Sequence, residues 1–375
     1  MARGVYWKIS IMSVTVISVL QIGDIHYPQL KDLPSSIDHK DLGVSPNIVE
    51  AVSLPPLQSL IRTLQRVIAK DGIDCRLDNF QAEVGLLLRF REVGQSGRRR
   101  MHDMALDQWL RERTNQYMKV RKIRSISEDE MFAELRSVSR RIYRRLKRPF
   151  TIFLDASCFP KVYLLSFLAF GFRCGLFRAV YIFYAQAEYS LDTIEAILER
   201  RIPKSYRFTE GEWRGVEVPY LEESINAGQE RNILVALGFE GGKSYRFIKG
   251  YDPEGVTAII CDPGFTPEYT QIAQEENRFI INSLELDETD IIKIGAGDMV
   301  SVFRFADHYA GQVVGNVALT FYGLGTKPHA IGLGLASIVA ENVPMIARLP
   351  QRFVETKTMS SGTSWLYTIR DLSVF

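Results

Sequence analysis

Phe321-Tyr-Gly-Leu-Gly-Thr-Lys-Pro-His-Ala-Ile-Gly-Leu-Gly-Leu335 is the stretch from which the fold is read. The apolar run 317–322 predicts a buried strand, and Gly323-Leu-Gly325 breaks it. Thr326 then supplies an N-cap, and Pro328 falls in the first turn of an apolar helix, where its missing N–H costs nothing. A strand, a tight glycine turn and a capped helix leave N–H groups at a helix N-terminus, with Lys327 beside them. The expectation is an anion site built from Gly323, Gly325, Thr326 and Lys327. The plainer alternative is a βα turn in which glycine serves backbone geometry alone.

Working outward, strands and helices alternate from Pro149 onward, the sign of a mostly parallel sheet. Strands are expected at 151–155, 178–184, 232–239, 257–262 and 291–294, with 343–348 and 365–369 closing the sheet. Helices are expected at 162–172, 271–284 and 299–309. Several strand ends carry polar or glycine turns, including Asp155-Ala-Ser157, Glu188, Gly238-Phe-Glu240 and Asp262-Pro-Gly264. Carboxyl ends of parallel strands share one edge, where ligands bind. Asp155, Ser157 and Asp262 are therefore expected to join Lys327 on a common rim.

Two sharper motifs fall short. Gly238-Phe-Glu-Gly-Gly-Lys-Ser244 resembles a P-loop but is one residue short, with Leu237 where the first glycine belongs, so it reads as a helix-initiating turn. Asp155 lacks the second aspartate two residues on that a phosphatase-type nucleophile uses, and it reads as a cap for the following helix.

At 375 residues the chain is too long for one ordinary domain. Boundaries are placed at 1–80, 81–148 and 149–375. The net charge is +2, but 98–148 holds 16 Lys/Arg against 7 Asp/Glu. Cys75, Cys158, Cys174 and Cys261 form no C-x-x-C pair, which suits reduced thiols in a cytoplasmic protein. The apolar run ending at Leu20 lacks a small-residue cleavage site, and its alternation suits a strand better than a signal peptide or membrane anchor.

Residues 81–148 read as helices. Ser127-x-x-Glu130 is a capping box, and Met131, Leu135, Val138, Ile142 and Leu146 make an apolar stripe behind it. Arg136, Arg140, Arg141, Arg144, Arg145, Lys147 and Arg148 cover much of the remaining surface. They read either as a solvated face or as one that meets nucleic acid or a protein partner.

The first strand runs into Asp24-x-His26, which resembles the opening motif of the calcineurin-like metallophosphoesterases. The resemblance covers about residues 12–74 and implies a divalent metal held by Asp24 and His26. The Gly-Asn-His segment of that family is missing, and the only other histidines are 39, 102, 308 and 329, so an inactive remnant is expected. Strand–helix alternation with Gly-Leu-Gly-Thr-Lys-Pro328 resembles the CRISPR-associated Rossmann fold (CARF) sensors over about residues 150–370. That resemblance implies ligand phosphate at Gly325, Thr326 and Lys327, an oligonucleotide or other anionic small molecule as ligand, and a homodimer.

The expected fold is α/β, a Rossmann-like mostly parallel sheet with flanking helices, preceded by a partial α/β segment and a basic helical region. The expected function is ligand sensing in a bacterial antiviral defence system. The alternatives are a metal-dependent phosphoesterase or nuclease, and a scaffold that uses the basic helix.

Overall fold

The computed structural model describes residues 14–20, 48–54, 82–90, 108, 111, 114–123, 128–156, 159–189, 191–198, 209–222, 229–313, 316–340, 342–353, 358–370 and 372. The fold is α/β and Rossmann-like, with mostly parallel pairing. The apolar runs form two sheets, where the sequence suggested one.

The first sheet has seven strands: β1 (Val14–Leu20), β2 (Ile48–Leu54), β3 (Ala82–Phe90), β4 (Thr114–Ile123), β5 (Phe150–Asp155), β6 (Phe177–Tyr189) and β13 (Thr358–Arg370). Their order is β2-β13-β6-β5-β1-β3-β4. Where residues 81–148 read as helices, two strands form at Ala82–Phe90 and Thr114–Ile123 before the helix α1 (Glu128–Leu146) begins. The run Leu86-Leu-Leu88 suits either state by periodicity alone. Parallel pairing of Leu86 with Ile17 and with Met118 decides for a strand.

The second sheet has six strands: β7 (Thr209–Glu217), β8 (Glu230–Ala236), β9 (Gly255–Cys261), β10 (Ile291–Ile294), β11 (Val317–Gly323) and β12 (Met345–Phe353). Their order is β10-β9-β8-β11-β12-β7, parallel except for β7 at the edge. The connecting helices are α4 (Gly241–Tyr251), α5 (Pro267–Ser283), α6 (Met299–Gln312) and α7 (Lys327–Val339). The inner strands β8, β9 and β11 become buried toward their carboxyl ends, where both faces of the sheet are covered. Ile233, Val235 and Leu237 pack with Ile248 of α4 and Ile280 of α5, and the intervening Leu234 and Ala236 are equally buried. Each such large side chain contributes about 1.5–3 kcal/mol of apolar burial.

In both sheets the strand order reverses beside the first strand of the parallel run, between β1 and β5 and between β8 and β11. The carboxyl edge at such a reversal point is where ligands commonly bind in parallel sheets.

The chain divides into two compact units. One comprises 1–159, 174–188 and 358–372. The other comprises 160–173, 189–357 and 373–375. The helix α2 (Lys161–Arg173) thus belongs to the second unit although it lies between β5 and β6 in sequence. The helix α3 (Leu191–Leu198) sets Ile194 and Ile197 against Tyr269 and Ile272 of α5.

Helix α7 is buried nearly all round. A Cβ at Gly332 would lie 2.7 Å from the Met299 carbonyl of α6, and one at Gly334 would lie 2.4 Å from Leu165 of α2. Among the described residues no helix is long and apolar enough to cross a membrane.

Candidate functional site

The loops after β8 and β11 meet at the reversal point of the second sheet. Gly238 and Gly325 touch backbone to backbone. A Cβ on Gly325 would stand 2.9 Å from the Leu237 carbonyl, and one on Gly238 would stand 3.3 Å from the Gly325 Cα. Asn277 of α5 pins the first loop by donating from Nδ2 to the Gly238 carbonyl at 2.9 Å. A side chain at Gly325 would force the backbone apart, and one at Gly238 would need the Gly325 backbone to give by a few tenths of an ångström.

The turn after β11 is bound from within. Lys161, the first residue of α2, donates from Nζ to the carbonyls of Gly323 at 3.3 Å, Leu324 at 3.2 Å and Gly325. Burial, then the like charges of Arg348 and Lys327, push its ammonium well below the ordinary lysine range, while Cys261 and Glu240 pull the other way. Thr326 caps α7 as expected, its Oγ1 accepting from the His329 N–H at 3.3 Å and donating to the Ala296 carbonyl at 2.8 Å.

Beneath this turn lies a thiol–imidazole pair. Cys261 ends β9 and His329 sits in the first turn of α7, and both are buried. Cys261 Sγ is 3.6 Å from His329 Nδ1, and Nε2 of the ring is 2.8 Å from the Gly295 carbonyl. That carbonyl accepts the Nε2 proton, which leaves Nδ1 to face the sulfur. Burial alone would raise the thiol, but the His329 imidazole, the Thr326 N–H and the Lys161 ammonium together hold it below its ordinary value. Burial alone would lower His329, but Cys261 and the Gly295 carbonyl raise it.

The turn after β8 has another character. Glu240 stands at the N-cap of α4, but its side chain makes no capping bond. Its buried carboxylate instead accepts from Arg348 Nη1 of β12 at 2.5 Å, with Lys243 Nζ 3.7 Å away. The Arg348 guanidinium lies 4.0 Å over the Trp213 ring of β7, and Lys243 lies 6.0 Å from the same ring. A Cβ added at Gly242 would meet nothing within 4 Å. Phe239 packs edge-on against Tyr269, whose hydroxyl accepts the Tyr189 N–H at 2.7 Å. This turn therefore has an aromatic wall on one side and cations on the other.

The residues expected to share one rim divide between the sheets. Gly323, Gly325, Thr326, Lys327 and Asp262 all stand at carboxyl ends of strands in the second sheet. Asp262 is engaged there by Lys293 at 3.3 Å and by Gln274 at 3.2 Å. Asp155 ends β5 of the first sheet, beside Ser18 of β1, so it belongs to a different reversal point. The single-sheet expectation grouped it with Lys327 because sequence alternation does not tell which sheet a strand joins. Ser157, Asp24 and His26 lie outside the described residues. Among the described residues no group of three or more His, Cys, Asp or Glu could hold a metal ion.

Sequence reasoning placed Glu240 at a polar strand end without a role for it, and gave no role to Lys161, Cys261, His329 or Arg348. The available signal was a lone charge interrupting an apolar run, as at Lys161 and Arg348. No protein-family model, curated protein or solved structure matches the chain.

Proposed function

We propose that this protein is a sensor that binds a nucleotide or another phosphorylated small molecule at the reversal point of its second sheet. One observation carries the reading. Lys243 and Arg348 flank the buried Glu240 carboxylate at the carboxyl edge of a parallel sheet, and Lys161, under the same carboxylate's influence, is crowded by the like charges of Arg348 and Lys327. Such an excess of buried or half-buried positive charge is costly unless an anion joins it. The start of α4 supplies the complementary end of a helix dipole. Binding needs no bond-making step at these residues. A role in bacterial antiviral defence, with a cyclic or linear oligonucleotide as ligand, is part of the proposal and follows from the turn Gly323-Leu-Gly-Thr-Lys327.

Isothermal titration of the full chain against inorganic phosphate, mononucleotides and oligoadenylates tests it. Binding is expected, and Lys243→Ala should weaken it by roughly tenfold or more, the scale of one charge-assisted hydrogen bond. A folded protein that binds none of these anions would remove the proposal.

A further inference from the structure

We propose that the C-terminal half of α1 is a docking surface for the phosphodiester backbone of nucleic acid, bound without regard to base sequence. The helix is two-faced. Phe132, Leu135, Val138, Ser139 and Ile142 are buried, while Arg140, Arg141, Arg144 and Arg145 are exposed, as are Lys147 and Arg148 beyond its end. At about 100° per residue the buried and basic rows are centred on opposite sides of the helix. No acidic residue occurs between Glu134 and Asp155.

Two bland explanations fall short. A favourable meeting with the helix dipole accounts for Arg144 and Arg145 in the last turn. That effect fades within one turn, so it does not reach Arg140 and Arg141. Solubility alone is served by mixed charges, whereas like charges four residues apart, as at Arg140 and Arg144 or Arg141 and Arg145, oppose helix formation.

The chemistry of the residues selects the partner. Six of the seven cations from 136 to 148 are arginine, although lysine would supply the same charge. The guanidinium fork binds a phosphate through two parallel hydrogen bonds, which an ammonium cannot do. Half-exposed Tyr143 lies among them and adds a ring on which a base can stack. The exposed face carries no large apolar side chain that could insert into a lipid surface.

The test is fluorescence anisotropy of the full chain with labelled single-stranded DNA, single-stranded RNA and duplex DNA of unrelated sequences over a range of salt concentrations. The protein is expected to bind all sequences similarly, with log affinity falling linearly in log salt. The variant Arg141→Ala/Arg144→Ala/Arg145→Ala changes only exposed positions. It should bind about tenfold or more weakly at low salt, and its salt exponent should shrink by about 2 to 3.

Circular dichroism checks that the helix persists. If it does not, the triple arginine-to-lysine variant keeps the charge and should bind several-fold more weakly at an unchanged salt exponent. Absence of binding at low salt, or an alanine variant equal to wild type, would overturn the proposal. So would a lysine variant equal to wild type, or tighter binding to polyglutamate or anionic vesicles than to nucleic acid.

Discussion

The turn after β8 and the turn after β11 are both glycine-rich, both follow a buried parallel strand and both open a helix. Their bonds run in opposite directions. The turn after β11 gives its carbonyls to Lys161, its threonine to the cap of α7 and the Thr326 N–H to Cys261. The turn after β8 leaves open space at Gly242 and gathers Lys243 and Arg348 around Glu240. Two similar strings of residues thus serve as a closed joint and an open cradle. The difference lies in what packs from below: a lysine and a thiol under one, an aromatic wall beside the other.

The largest expected effect comes from opening the cradle's charge pair. Arg348→Leu removes the guanidinium from the buried Glu240 carboxylate and leaves Lys243 Nζ at 3.7 Å. It should cost about 3 kcal/mol in denaturant unfolding. A loss near zero would mean that Glu240 reaches water, and the contrast between the turns would weaken.

Next comes a matched pair of glycine substitutions. Gly325→Ala forces a methyl to 2.9 Å from the Leu237 carbonyl and should destabilise by about 1–3 kcal/mol. Gly242→Ala meets nothing within 4 Å and sits early in α4, so it should be neutral or stabilising by up to about 1 kcal/mol. Equal losses at both positions would erase the distinction between joint and cradle.

The smallest effect is read from titration. His329 is raised in the folded protein, so the stability it contributes is fully present below its unfolded pKa of about 6.5 and is lost as pH rises through the folded value. Cys261→Ser removes the sulfur that helps hold that proton, while the burial that lowers the imidazole remains. The His329 ring protons, followed by NMR, should therefore titrate at lower pH in the variant, and the loss of stability should be smaller and complete at a lower pH. An unchanged titration would assign the raised value to the Gly295 carbonyl and Asp298 instead.

Local rules made much of the second sheet legible. The strand expected at 291–294 forms as β10, Thr326 caps its helix, and Pro328 lies in the first turn. The alternation of strands and helices gave the α/β class. What it could not give was membership, because a strand's neighbours depend on crossovers and not on its own residues. Asp155 and Asp262 therefore looked equivalent although their strands belong to different sheets.

The pairing of Cys261 with His329 spans 68 positions and leaves no local trace. Lys161 is harder still, since nothing near it in sequence calls for a lysine at the head of an apolar helix. Its three carbonyl partners lie 162 to 164 residues away.

Helix α2 lies between two strands of the first sheet in sequence but belongs to the other unit, and β13, the seventh strand of the first sheet, comes only at Thr358–Arg370. The two units are therefore threaded through each other as written text. No single cut in the polypeptide releases either one whole, and during synthesis the first sheet must wait, with an unpaired edge, until nearly all of the second has emerged. Any attempt to express the second unit alone must carry residues 160–173 along with 189–357, joined by a new linker.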